Sequence, residues 1–352
     1  MPGGNYRSGG GKPRQPWKIV VPIIIAALML SGCAGVSSVL SPRSHNTQQI
    51  SNLIITLFSI AAVVFVIVEG LLIYATIRFS RKSLPGEASQ TEGNRPLEIG
   101  WTLAPAIVLA FVFVFTLPTL RSIAYQPASY VSATTGQVAQ PITVKAIGHQ
   151  WWWEFDYPGL GIVTADVLHV PVGAVVNVDV ESVDVIHSFW IPQIVQKIDA
   201  VPGHSNKIWF QANTIGVYDG QCAEFCGTEH ADMRLKVVVE SENDFNNWVA
   251  LQTAPLPKLT GAAAQGEQVF LNGACVGCHT IDGTKAAGTV GPNLTHFGSR
   301  EYFAGAILQN TPENVARWLE NPQAVKPGND MPNLHLSQEQ ITQLVAFLES
   351  LK

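Results

Sequence analysis

Cys222, Cys226, His230 and Met233 fall within twelve residues, Cys222-Ala-Glu-Phe-Cys226-Gly-Thr-Glu-His230-Ala-Asp-Met233, and His187 stands upstream in Asp184-Val-Ile-His187-Ser-Phe-Trp-Ile-Pro192. Thiolate and thioether sulfur beside imidazole favour copper or zinc over hard cations. A mononuclear blue-copper centre needs one thiolate, two imidazoles and a weak axial sulfur, so a second thiolate points to a second copper. Cys222 and Cys226 would bridge the pair, with one imidazole for each metal and with Met233 and the backbone carbonyl of Glu224 as weak outer ligands. A structural zinc site could be built from the same two cysteines and two histidines, leaving Met233 unused.

A second constellation, Cys275-Val-Gly-Cys278-His279, has the spacing for covalent attachment of a c-type haem through two thioethers, with the histidine on iron. The histidine directly after the pair, and the lack of a βαβ pattern around it, weigh against a redox disulfide. Of the four methionines, Met1 starts the chain, Met29 lies in an apolar run and Met233 belongs to the copper set. Met331, in Gly328-Asn-Asp-Met331-Pro332, is the candidate sixth ligand, and His335 competes with it. A thioether ligand would raise the potential of the iron.

These ligands need elements to hold them. Residues 176–181 alternate apolar and polar, 142–147 and 235–239 do so more loosely, and Gly159, Gly161, Pro171, Gly173, Pro202 and Gly216 punctuate the runs. That pattern predicts a β-sandwich over 136–240, with the copper ligands in loops at one end. A Pro- and Ala-containing stretch, 253–264, reads as a linker. Residues 265–352 read as helical: 263–271 leads into the haem motif, Thr311-Pro312 opens a helix over 313–319, and Ser337 forms a capping box with Gln340. Ile341, Leu344, Val345 and Leu348 then give the last helix one apolar face.

Five cysteines are present, and copper and haem account for four. Cys33 ends an apolar run that follows Lys12, Arg14 and Lys18, so residues 1–33 read as a secretory signal. The Leu30-Ser-Gly-Cys33 end resembles the lipobox of bacterial lipoproteins, and a plain apolar helix is the alternative. No cysteine remains for a structural disulfide. Within 45–121, two apolar runs, 53–77 and 101–120, are each of about the ~20 residues needed to cross a bilayer. They predict a transmembrane hairpin, in which Glu69 faces protein rather than lipid. Arg78, Arg81, Lys82 and Arg95 between the runs place that loop in the cytoplasm and everything after Arg121 outside. A net charge of −5 argues against nucleic acid as a partner.

The copper motif, with Gly148-His-Gln-Trp151-Trp152-Trp153-Glu154, Asp199-Ala-Val-Pro-Gly203 and Leu97-Glu98-Ile-Gly-Trp101-Thr102, resembles subunit II of cytochrome c oxidase over residues 45–240. The tail resembles small cytochromes c, whose proximal histidine is buttressed by a loop like Gly291-Pro-Asn-Leu294. The resemblance implies a multidomain chain: a two-helix transmembrane hairpin, a cupredoxin-like Greek-key β-sandwich with a dinuclear CuA centre, and an all-α c-type cytochrome domain with one covalent haem c. It also implies electron input at Trp151, a proton-channel mouth at Glu98, and a magnesium shared with subunit I through Glu224. Sandwich packing is the alternative for Trp151, and a solvated carboxylate the alternative for Glu98. Implied partners are oxidase subunits I and III and a respiratory donor such as cytochrome c, at a bacterial plasma membrane with the copper and haem domains on the outer side. Asp166, Asp184 and Asp199 are candidates for an acidic docking patch, with a merely solvated face as the alternative, and His45, His149, His169 and His296 are left as structural. His204 stands where the family has arginine, which weakens any reading of the propionate-side contacts. With two spans and no membrane histidine cluster, oxygen reduction belongs to a separate subunit. An electron-input subunit of a nitric oxide reductase and a membrane-anchored copper-assembly protein stay open as alternatives; the haem motif weighs against the second.

Overall fold

The computed structural model describes residues 37–79, 92–132 and 134–352. The expected signal segment with Cys33, and Arg81 and Lys82 of the basic loop, lie outside the described residues.

Two long helices come first, α1 (His45–Phe79) and α2 (Arg95–Ala124), with peak mean hydropathies of 2.6 and 2.3. Apolar side chains point outward all round them, Phe58, Phe65, Phe113 and Val114 among them, as expected of helices solvated by lipid. Both helices run past the expected 53–77 and 101–120, because counting apolar residues finds the lipid-facing stretch and not the polar ends. Asn94 caps α2 by accepting a hydrogen bond from the Leu97 amide, with proline in its first turn. The first turns of α1 are polar because they dock on the next domain: Asn46 donates to the Trp209 carbonyl and Thr47 to that of Gln193. Trp209 in turn donates its indole N–H to the Ile123 carbonyl at the end of α2. One tryptophan thus ties both helices to the sandwich.

After a short pair, β1 (Tyr130–Val131) and β2 (Val138–Ala139), ten strands build two five-stranded sheets. The strands are β3 (Ile142–His149), β4 (Trp152–Tyr157), β5 (Ile162–Ala165), β6 (Val167–Pro171), β7 (Val175–Ser182), β8 (His187–Ile191), β9 (Val195–Ala200), β10 (Asn206–Gln211), β11 (Gly216–Cys222) and β12 (Arg234–Glu240). One sheet has the order β10-β7-β3-β4-β5 and the other β6-β12-β11-β8-β9. Pairs β3/β7 and β6/β12 are parallel and the rest antiparallel, so the chain crosses repeatedly between sheets. The inner face of β7 alternates as the sequence does, with Val176, Val178 and Val180 buried. Trp153, Phe155, Phe189, Leu235 and Val237 complete the core between the sheets.

Helix α3 (Glu242–Gln252) then packs on the sandwich through Phe245 and Trp248, with Ser241 accepting from the Asp244 amide as its cap. The expected linker begins where α3 stops but ends at Thr260, since α4 (Gly261–Asn272) starts earlier than its apolar residues suggest. The remaining helices are α5 (Pro312–Glu320), α6 (Pro322–Val325) and α7 (Gln338–Ser350), with a small hairpin of β13 (Tyr302–Phe303) and β14 (Leu308–Gln309) before them. Both halves of the Ser337/Gln340 capping box form, and Ile341, Leu344 and Leu348 are buried while Val345 is half-buried. Helices α4 and α7 cross at Gly266, where an added Cβ would lie 2.0 Å from the Gln343 carbonyl oxygen. Phe270, Ile281, Leu294, Phe347 and their neighbours form a second core, separate from that of the sandwich.

Candidate functional site

The end of the sandwich gathers every residue of the copper set. His187 opens β8, Cys222 closes β11, and the loop carrying Cys226 returns through the short turn of helix His230–Asp232 to Met233, just before β12. Backbone bonds from Cys222 to Met233 (2.9 Å) and from Ala223 to Ser188 (2.9 Å) pin the loop at both ends. The two sulfurs stand 3.7 Å apart, far beyond the ~2.05 Å of a disulfide. His187 Nδ1 lies 3.9 Å from Cys222 Sγ, and His230 Nδ1 lies 3.6 Å from Cys226 Sγ. Met233 Sδ is 3.8 Å from Cys226 Sγ, and the Glu224 carbonyl oxygen is 3.2 Å from Cys222 Sγ. The Glu224 side chain itself is exposed.

This donor set fits a soft metal held by a thiolate pair. Hydrogen bonds from the Cys226 thiol and from His187 pull the Cys222 thiol down to about 3. Hydrogen bonding to that thiolate, burial and its negative charge push Cys226 the other way. Two sulfurs this close suit a shared cation, and a metal binding there would displace their protons.

Asp184, read from the sequence only as a surface acid, has a more specific role. Its Oδ1 bonds His187 Nε2 at 2.8 Å, which turns Nδ1 toward the sulfurs. The carboxylate also accepts from the backbone amides of Val185 and Gln150; against the opposing effect of burial, the His187 bond first and these two after it hold it below the usual carboxylate range. Gly148 sets the other side of the ring: a Cβ there would lie 2.7 Å from His187 Cδ2. Since β3 is hydrogen-bonded on both edges, Gly148 cannot retreat. Gly148→Ala is expected to lower copper affinity by about 10- to 100-fold, the range for disturbing a ligand's support, with haem content unchanged. Copper per chain measured against haem absorbance checks it; a normal ratio and copper spectrum would show that the ring moves without consequence.

In the helical domain, Cys275 and Cys278 flank a cavity of about 230 Å³ that His279, Met331 and Trp318 also line. The Pro292 carbonyl lies 2.8 Å from His279 Nδ1, leaving Nε2 as the nitrogen for a metal. Burial disfavours the imidazolium. Gly291 allows this fit, because a Cβ would come within 2.5 Å of the imidazole. Trp318 donates to Met331 Sδ at 3.0 Å. His335 is exposed and does not line the cavity, so Met331 is the axial candidate that the fold brings to the site. An apolar cavity with two free thiols at its edge and a nitrogen and a thioether within it fits a covalent haem.

The three consecutive tryptophans divide their work. Trp153 is fully buried and meets Phe189 and His187 edge-on. Trp152 stacks on His149 at 4.0 Å. Half-buried Trp151 spans the two sites: it lines the haem cavity, and its indole N–H donates to the Cys226 carbonyl at 2.9 Å. Asp166 also lines that cavity and is buried, while Asp199 lies on β9 opposite Ser188, so Asp166 has no share in a surface patch with the other two. Glu98 is exposed in the first turn of α2, at the end of the hairpin remote from the copper domain. It is not brought near either site.

Family models described as cytochrome c oxidase subunit II, transmembrane domain, and cytochrome c oxidase subunit II, periplasmic domain, match residues 35–119 and 160–241. A model described as cytochrome c matches residues 263–352. The chain is 36% identical to cytochrome c oxidase subunit 2 of Alkalihalophilus pseudofirmus, over 96% of this chain and 98% of that one. It is 31% identical to cytochrome c oxidase subunit 2 of Bacillus subtilis over the same shares. The periplasmic domain of subunit II from Bradyrhizobium japonicum is 35% identical, with a TM-score of 0.31, covering 32% of this chain and 92% of that structure. The sulfur- and imidazole-lined end of the sandwich, the apolar hairpin and the helical tail agree with the family models and the full-length relatives: the chain belongs to the cytochrome c oxidase subunit 2 family, whose copper and haem chemistry its two sites suit, and carries a C-terminal cytochrome c domain.

Proposed function

We propose that this chain feeds electrons to a haem-copper oxidase: they arrive from a respiratory donor at a covalent haem c on Cys275, Cys278, His279 and Met331, cross at Trp151 to a dinuclear CuA centre on His187, Cys222, Glu224, Cys226, His230 and Met233, and leave for the haem of subunit I. Bound copper and haem supply one-electron redox chemistry. The chain's own residues supply placement. Asp184 orients His187, Pro292 orients His279, and the Cys222–Met233 loop is fixed by backbone bonds, which limits reorganisation as charge changes. Subunits I and III are the partners in the bilayer, in a bacterial plasma membrane with both metal sites outside. Glu224, exposed on the copper loop, would share a magnesium with subunit I, and Glu98 would open a proton path on the inner side.

The observation that carries this reading is Trp151, which walls the haem cavity and bonds the copper loop. Met331→Ala tests it. Loss of the thioether lowers the potential of the iron, and donor-driven turnover is expected to fall by at least about 10-fold, the least that disturbing a metal's surroundings costs. Oxygen consumption from a small reductant that reduces copper directly should persist. If both activities survive unchanged, the haem is not where electrons arrive.

A further inference from the structure

The cytochrome and copper domains meet through a polar junction centred on Lys326 and Gly305. Lys326, in the cytochrome domain, is 3% exposed. Its ammonium donates to the backbone carbonyl of Trp151 at 2.8 Å and lies 3.7 Å from the Glu229 carboxylate, itself 3% exposed. Gly305 donates its amide to Asp166 Oδ2 at 2.7 Å, and its carbonyl accepts from the Arg234 amide at 3.1 Å. The other Asp166 oxygen accepts from the Trp153 amide, so this carboxylate ties the cytochrome to the strand that follows Trp151.

The fit at Gly305 admits no side chain. A Cβ there would lie 2.5 Å from the Asp232 carbonyl, 2.8 Å from Lys326 Nζ and 3.3 Å from the Trp151 carbonyl, and φ is +75°. Gly328 makes a second close approach, where an added Cβ would lie 2.8 Å from Thr228 Cγ2. Buried charge of opposite sign on the two domains, satisfied backbone groups and two glycines at the closest approaches are the marks of a built interface. A tethered domain free to swing would have no reason to bury a lysine against its neighbour.

We infer that Lys326 is a positioning residue for haem-to-copper electron transfer: it clasps the Trp151 backbone and Glu229, holds the cytochrome domain in one fixed docked position, and closes Trp151 to any separate cytochrome. This rests on the reading in which electrons cross at Trp151. Glu229 directly precedes His230 in the chain, so the clasp grips the electron-input tryptophan and the copper loop together. An external donor must then meet the haem on the face of the cytochrome domain turned away from the sandwich.

The test uses the assembled oxidase with Lys326→Met, Lys326→Arg and Gly305→Ala. Haem is reduced by a light pulse through a bound photoreductant, and copper reduction is followed optically. Lys326→Met is expected to slow transfer by at least about tenfold, a size in keeping with small misplacements of reacting groups. Haem and copper content and spectra should stay those of the wild type. Lys326→Arg, which keeps the charge and the donors, should recover most of the rate, and Gly305→Ala should slow it independently by wedging the junction open. Wild-type rates in both Lys326→Met and Gly305→Ala would overturn the inference. So would a slow Lys326→Met whose copper or haem spectrum has changed, since that marks damage to a site rather than to placement. A wild-type enzyme in which pulsed haem never reduces copper would overturn the underlying reading as well, and that outcome is visible before any variant is compared.

Discussion

Cys226→Ser is expected to leave one copper per chain where the proposed dinuclear centre would hold two, and to lower oxidase turnover by at least about 100-fold, since losing a ligand costs more than losing its support. Serine keeps the size of the side chain but offers an oxygen that is hard and protonated at neutral pH, which copper does not favour in such a set. What remains is one thiolate on Cys222, two imidazoles and the Met233 thioether, the donors of a mononuclear blue-copper centre. The sandwich should fold normally, because Cys226 sits in a loop pinned by Cys222, Ala223 and Met233 backbone bonds and not by its own side chain. Metal analysis and paramagnetic resonance on the purified complex provide the check. The expected result is one copper per haem c, with hyperfine structure from a single nucleus. Retention of two coppers with an unchanged signal would remove Cys226 from the bridging position.

How much of this was legible beforehand follows from how local each feature is. The candidate copper and haem ligands stand out because motif spacing is a property of neighbouring residues, and one loop or one turn carries most of each set. The same holds for the capping box at Ser337 and the alternating burial of β7. Helix α3 had a readable signal in Ser241-x-x-Asp244 before Phe245 and Trp248, but its short apolar stripe is weak beside the strands that precede it. The roles of Asp184 and Gly148 depend on which strands lie side by side, and β3 finds its neighbour β7 only after a crossover. Least legible is the junction between domains. Lys326 and Trp151 are 175 residues apart, and Gly305 and Asp166 are 139 apart. A buried lysine in the tail looks like any surface lysine until the surface that covers it is known.

The same junction makes removal of the cytochrome domain informative. A chain ending at Gln252 keeps the whole sandwich core, whose members stop at Trp248 and Val249, while the helical core begins at Leu256. Asp166, Glu229 and the Trp151 carbonyl then face water, which replaces the Gly305 and Lys326 contacts, so no charge is left buried without a partner. Such a chain is expected to bind copper normally and to lose all response to donors that reduce only the haem. Its turnover should become dependent on an added soluble cytochrome c, because Trp151 is now open. Tethering sets an effective concentration in the millimolar range, so with about 1 μM free cytochrome the rate should lie about 1,000-fold below that of the intact chain. A titration of oxygen consumption against added cytochrome measures this directly. Saturating behaviour at high concentration identifies Trp151 as a docking surface that the fused domain normally occupies. Turnover as fast as the intact chain at micromolar cytochrome would mean that tethering confers no kinetic advantage, and failure to respond at any concentration would mean that the copper domain takes its electrons somewhere other than Trp151.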